Sequence, residues 1–148
     1  MHTGLLRLIG ATTFAYGMAT AYRPGLIARP SGLVDPHGGV GPHTAMVVRP
    51  LAWRDAAGGL AMVVAPRGGA LATASAVRVA SDLGDAVLLG STLPGRPRRV
   101  VAALTALGWA ALTVAGLVGD AEPGRSAAHR ERRAGRRCRR AARRVRIR

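Results

Sequence analysis

Five ionisable residues stand inside otherwise apolar stretches: Arg54 and Asp55 in LAWRDAAGGLAMVVAP, and Arg78, Asp82 and Asp85 in ATASAVRVASDLGDAVLLG. On a helix Arg78, Asp82 and Asp85 fall at i, i+4 and i+7 and share one face, so Arg78 and Asp82 are spaced for an intrahelical ion pair. A charge in a membrane helix costs at least about 2.5 kcal/mol, which favours facing the protein interior and pairing. Arg54 is expected to reach across to Asp82 or Asp85, because a short connection makes its segment the antiparallel neighbour of theirs. Two Arg against three Asp leave one carboxyl without a cation of its own, the arithmetic of a proton-handling site. It is equally that of a structural clamp with one Asp at an interface, or of interfacial charges outside a bilayer core.

No other constellation carries chemistry. Ser75 and Ser81 have no His or Lys base in their segment, and both Glu lie near the chain's end, so nucleophilic and acid/base catalysis are not indicated. His2, His37, His43 and His129 show no metal-ligand spacing, and the single Cys138 excludes an internal disulfide. Gly38-Gly39 lacks the strand before it and the Lys-Ser/Thr after it that a phosphate-cradling loop needs. No cofactor and no metal are expected, and the chain reads as a non-enzyme.

The elements that would position the charged residues are long and apolar. At 148 residues the chain has room for one domain, and its 49% hydrophobic content is ordinary. The distribution is not. Charge gathers in connections and at the end of the chain, leaving apolar spans at about residues 5–22, 47–65, 70–89 and 100–118. Each approaches the roughly 20 residues that cross a hydrocarbon core. The last is the cleanest, with no ionisable side chain between Val100 and Val118. The expected fold is all-α: a polytopic transmembrane bundle of about four helices over residues 1–119, followed by a disordered Arg-rich tail over 120–148. The second span has an ambiguous start at Arg49-Pro50, and Trp53 near that start suits an interfacial position. Residues 23–43, dense in Pro and Gly, read as a loop. The first span also has features of a secretory signal, with Arg7 in its first turns able to belong to a basic leader region and Ala19-Thr20-Ala21 as a cleavage-like site. Small residues repeat at Ala76, Ala80 and Gly84, at Ala102, Ala106 and Ala110, and at Gly108 with Gly116, rows that would let helices pack closely in lipid.

All 22 basic residues are Arg, and there is no Lys, Asn or Gln, a bias expected of a GC-rich gene. Twelve of the Arg lie in the tail, which offers too little apolar surface to fold alone. Its partners would be anionic lipid headgroups or other polyanions, although aromatic residues for base stacking are missing. A solvated extension or an out-of-frame end of a GC-rich reading frame are the alternatives. Arg23, Arg29, Arg96, Arg98 and Arg99 favour placing the first and third connections in the cytoplasm, whereas the tail favours the opposite orientation.

The run RDAAGGLAMVVAPRGG, then VRVASDLGDAVLLG, then a clean final helix resembles the small four-helix integral membrane proteins grouped as domain of unknown function 4267, over about residues 5–118. The resemblance implies a fold and a location and no activity. The functional expectation is a multi-pass protein of the bacterial inner membrane, a non-enzymatic bundle acting as an accessory or interaction subunit in a homo- or hetero-oligomer. The alternatives are a small proton-coupled transporter using the Arg/Asp cluster, and a membrane-tethered polyanion binder acting through the tail.

Overall fold

A computed structural model describes residues 1–119. The basic tail, and with it the expectation of polyanion binding, lies outside the described residues. The described chain is all-helical, with elements α1 (Thr3–Tyr22), α2 (Gly25–Ala28), α3 (Pro42–Val64), α4 (Gly69–Thr92) and α5 (Arg96–Val118).

Proline sets most of the boundaries. Arg23, Ala65 and Leu93 each precede a Pro and each leave the helical region, as the clash with the following ring requires. Gly68 and Gly95, at φ +102° and +85°, turn the chain into α4 and α5. Pro42 opens α3 at a position where its missing N–H costs nothing. The second span therefore begins well before the residue 47 expected from the sequence, and α3 continues through Pro50. Arg49 and Pro50 lie on the exposed side of the helix, so the carbonyl that loses its partner is not trapped in the core.

The stretch expected to be a loop contains one helical turn, α2. It closes with Leu33 N–H donating to Ala28 O at 2.8 Å and Gly32 N–H donating to Arg29 O at 3.0 Å. This is a Schellman ending, and Gly32 supplies the φ of +70° that the motif needs. Beyond it Asp35 Oδ1 accepts from the backbone N–H of His37 and Gly39 at 2.9 and 2.7 Å, which makes a closed turn before α3.

The four long helices form an up-down-up-down square in which α1 neighbours α3 and α5, and α4 neighbours α3 and α5. Two pairs are tight, α1 with α3 and α4 with α5, while the α3/α4 seam is looser. The α1/α3 pair is in backbone contact. A Cβ on Gly59 would stand 2.5 Å from Phe14 N and 2.6 Å from Gly10 O, and one on Gly17 would stand 2.7 Å from Ala56 N. Glycine is required at these crossings because no side chain fits between the helices. Of the rows expected to pack, Ala106, Ala110 and Gly116 are buried and Ala102 is half-buried, while Gly108 is exposed on α5 and Ala76, Ala80 and Gly84 are exposed on the outer side of α4.

One end of the square is filled by Leu6, Ile9, Met62 and Leu71, with Trp109 and Leu117 of α5 packed against them. There the Met1 amine donates to Gly119 O, and His2 N–H donates to Gly116 O at 2.8 Å, so α1 and α5 are joined at their outer ends.

The outward faces are apolar. Leu8, Val87, Leu104 and Val118 are all exposed, Val87 by 73% and Leu104 by 64%. Among the described residues α5 alone is long and apolar enough to cross a membrane by length and composition, and only 22% of its apolar window is buried.

Candidate functional site

The looser α3/α4 seam holds the charged residues. They stand at least about two turns from either end of their helices, at 3.6 residues per turn. Arg54 donates from Nη2 to Asp85 Oδ2 at 2.7 Å and to Asp55 Oδ1 at 2.9 Å. Arg78 Nη1 lies 3.3 Å from the same Asp55 oxygen, and Arg78 Nη2 donates to Asp82 Oδ1 at 2.5 Å. The structure thus brings all five residues into one alternating chain: Asp85, Arg54, Asp55, Arg78, Asp82. Arg54 takes Asp85, one of the two carboxylates the spacing offered it, and Asp55 bridges the two guanidiniums.

Burial deepens from Arg54 onward along the chain, toward Asp82. The Arg54 side chain is 41% exposed, Asp55 and Asp85 are partly covered, and Asp82 is 2% exposed as a residue. At the deep end the pairing is incomplete: Asp82 Oδ2 and Arg78 Nε have no hydrogen-bond partner, Arg78 Nη1 meets Asp55 at ion-pair distance without a hydrogen bond, and Ser75 Oγ is also unpartnered. A buried carboxylate accepts strongly, and an oxygen left without a donor is costly.

The same carboxylates line a half-open cavity of about 540 Å³ between α1, α3, α4 and α5, with the α2 connection over it. Volumes of roughly 300–1,000 Å³ are those of small-molecule sites. Asp55, Arg78, Asp82 and Asp85 form one wall. Thr12, Thr13 and Tyr16 come from α1, and Val101, Thr105 and Trp109 from α5. Ile27, Pro30 and Ser31 close it from above, where the exposed Arg98 lies against Gly32. None of these α1 and α5 residues stands out in the sequence. Their only signal is helical spacing, Thr12 to Tyr16 and Thr105 to Trp109 each at i, i+4.

The remaining residues named from the sequence lie elsewhere. Ser81 is off the cavity wall, and His37 and His43 sit in or beside the connection before α3. Trp53 stands midway along α3 rather than at its start, edge-on to Tyr22 with ring centroids 6.3 Å apart. Among the described residues no group of three His, Cys, Asp or Glu is placed to hold a metal ion.

Comparison of the chain with protein-family models, curated proteins and solved structures finds no match. What the site can do is therefore argued from its geometry. Two charged pairs between α3 and α4 fix the register of the loose seam, and a carboxylate with one unused oxygen faces the middle of the bundle from a helix that also walls a cavity. Such an arrangement can bind and orient. It contains no nucleophile with a base beside it.

Proposed function

We propose that this protein is a four-span protein of the bacterial cell membrane, a non-enzymatic bundle whose Arg/Asp chain clamps its two helix pairs together. The observation that carries the reading is the character of α5: an apolar helix with 22% of its window buried and Leu104 64% exposed. In water that much contiguous apolar surface demands a cover, and lipid supplies it. Helices α1, α3 and α4 take the other three spans, with their charges turned toward one another rather than outward. On this reading the partners are the bilayer and other membrane subunits.

The experiment is side-specific labelling of single cysteines in sealed vesicles, in a chain with the native Cys138 replaced by Ser. Cysteines at His37 and Arg96 are expected to label from one side and one at Arg67 from the other. Labelling of all three from one side would rule out four spans.

The cavity favours a second reading, a small proton-coupled transporter in which Asp82 or Asp85 exchanges a proton for a solute. Reconstituted protein would then show proton-dependent flux that Asp82→Asn removes. Absence of flux from correctly folded wild-type vesicles leaves the clamped bundle.

A further inference from the structure

We propose that the cavity binds an organic ammonium ion with an apolar body, its charged nitrogen seated between Asp82 and Asp85. The site deepens the second reading above but rests on the cavity alone, whether or not a solute crosses the bilayer.

The alternating chain of charges begins and ends on a carboxylate, and its two ends meet. Asp85 and Asp82 are the termini, and they stand three residues apart on α4, where side chains are neighbours with Cβ atoms about 5–6 Å apart. A ring of alternating charge is thus closed on every edge but one. On that edge two acids stand one helical turn apart, and no ion pair among the described residues joins them. The open edge has a marked acceptor, since Asp82 Oδ2 is unpartnered on a residue 2% exposed. Both acids belong to the cavity lining, so a cation held there sits beside that edge, and a small side-chain rotation of Asp82 is enough to bring Oδ2 to it. An N–H on that cation gives Asp82 Oδ2 the donor it lacks.

The rest of the wall selects what carries the charge. About 540 Å³ is far larger than an inorganic ion needs, and Ile27, Leu89, Leu93 and Val101 offer an apolar lining. Trp109 and Tyr16 add ring faces that attract a cation or stack on an aromatic body. Arg98 is at the roof, beside Gly32, where it repels a second positive charge and leaves the acidic wall for the first. The preferred occupant is a monoamine with a single apolar group.

The test is calorimetric titration of the purified full-length protein in detergent micelles, with 2-phenylethylamine as the probe and 2-phenylethanol as its uncharged counterpart. The amine is expected to bind at one site per chain and at least about tenfold more tightly than the alcohol. Asp82→Asn is expected to weaken the amine about tenfold or more and leave the alcohol unchanged. Because that substitution touches a buried pair, Ala102→Phe serves as a second variant: it fills the cavity from α5 without touching the ring, and should weaken both probes. Equal binding of amine and alcohol would overturn the proposal in favour of a merely apolar cavity. Stoichiometric displacement of the amine by sodium at low millimolar concentration would overturn it in favour of an inorganic cation site, and no binding by the folded wild type would remove the site altogether.

Discussion

Asp55 Oδ1 lies 3.3 Å from Arg78 Nη1 and in doing so ties α3 to α4 at mid-height. The same oxygen accepts from Arg54, so one carboxylate serves both guanidiniums and removing it splits the chain of charges in two.

Substitution Asp55→Ala should therefore destabilise more than loss of the better-solvated Arg54. Arg78 would keep one carboxylate in place of two while remaining buried, and breaking a buried pair from one side costs about 3–5 kcal/mol at the upper end. Partial exposure of Asp55 places the expected loss lower, at about 2–3 kcal/mol, against about 1 kcal/mol or less for Arg54→Ala. Thermal unfolding in micelles, followed by circular dichroism, measures both.

The pair formed by Arg78 and Asp82 should behave non-additively. Arg78→Met alone leaves Asp82 buried without a cation and Asp82→Leu alone leaves Arg78 with Asp55 only, whereas the double substitution leaves Asp55 paired with Arg54 and should recover most of the loss. A coupling energy above about 2 kcal/mol in the double-mutant cycle is expected; additive losses would mean that the two side chains do not depend on each other.

How much of this was readable from the chain differs by element. The α4 face was legible because Arg78 and Asp82 are too costly to leave outward, and at about 100° per residue they fix the inward direction of the whole helix. By the same arithmetic Ala80 points away from both, so the row Ala76, Ala80 and Gly84 could not also pack inside; in the structure it is exposed. On α1 no charge marks the crossing, and on α3 Arg54 and Asp55 mark only the side toward α4, so the face of each that meets the other stays open. The Gly10, Gly17 and Gly59 contacts were hidden for that reason. The cavity was hidden for another: it is made by five separate segments, and absence of atoms has no sequence signal. The passage of α3 through Pro50 was misleading locally, since solvent-side exposure of that turn is a tertiary property.

Glycine positions on α3 provide a paired test. Gly59→Ala puts a Cβ 2.5 Å from Phe14 N, against backbone that cannot yield, and should cost about 3 kcal/mol or more as α1 is forced away. At the neighbouring Gly58 an added methyl would meet nothing within 4 Å, so Gly58→Ala should be neutral or stabilising by up to about 1 kcal/mol. The two variants differ by one position, and the same unfolding assay separates them.

Charge on the outer face of α5 tests what that face meets. Leu104 is 64% exposed, so Leu104→Arg would be harmless to a helix in water. In a bilayer an Arg near the helix centre costs about 2.5–3.5 kcal/mol, and the fraction resisting alkaline extraction from membranes should fall severalfold. An unchanged fraction would argue that another protein surface, not lipid, covers the helix.

The meeting of Met1 with Gly119, and of His2 with Gly116, gives the bundle a cyclic order that its peptide bonds do not follow. A short linker could join residue 119 to residue 1, and new ends could be opened in the exposed Asp35 to Gly39 turn without crossing any packed helix. In such a permuted chain α3 would be made first and would wait for α1 until synthesis was nearly over. Its glycine seam would then be the last contact to form, turning the order of assembly into something that can be varied while the final contacts are held constant.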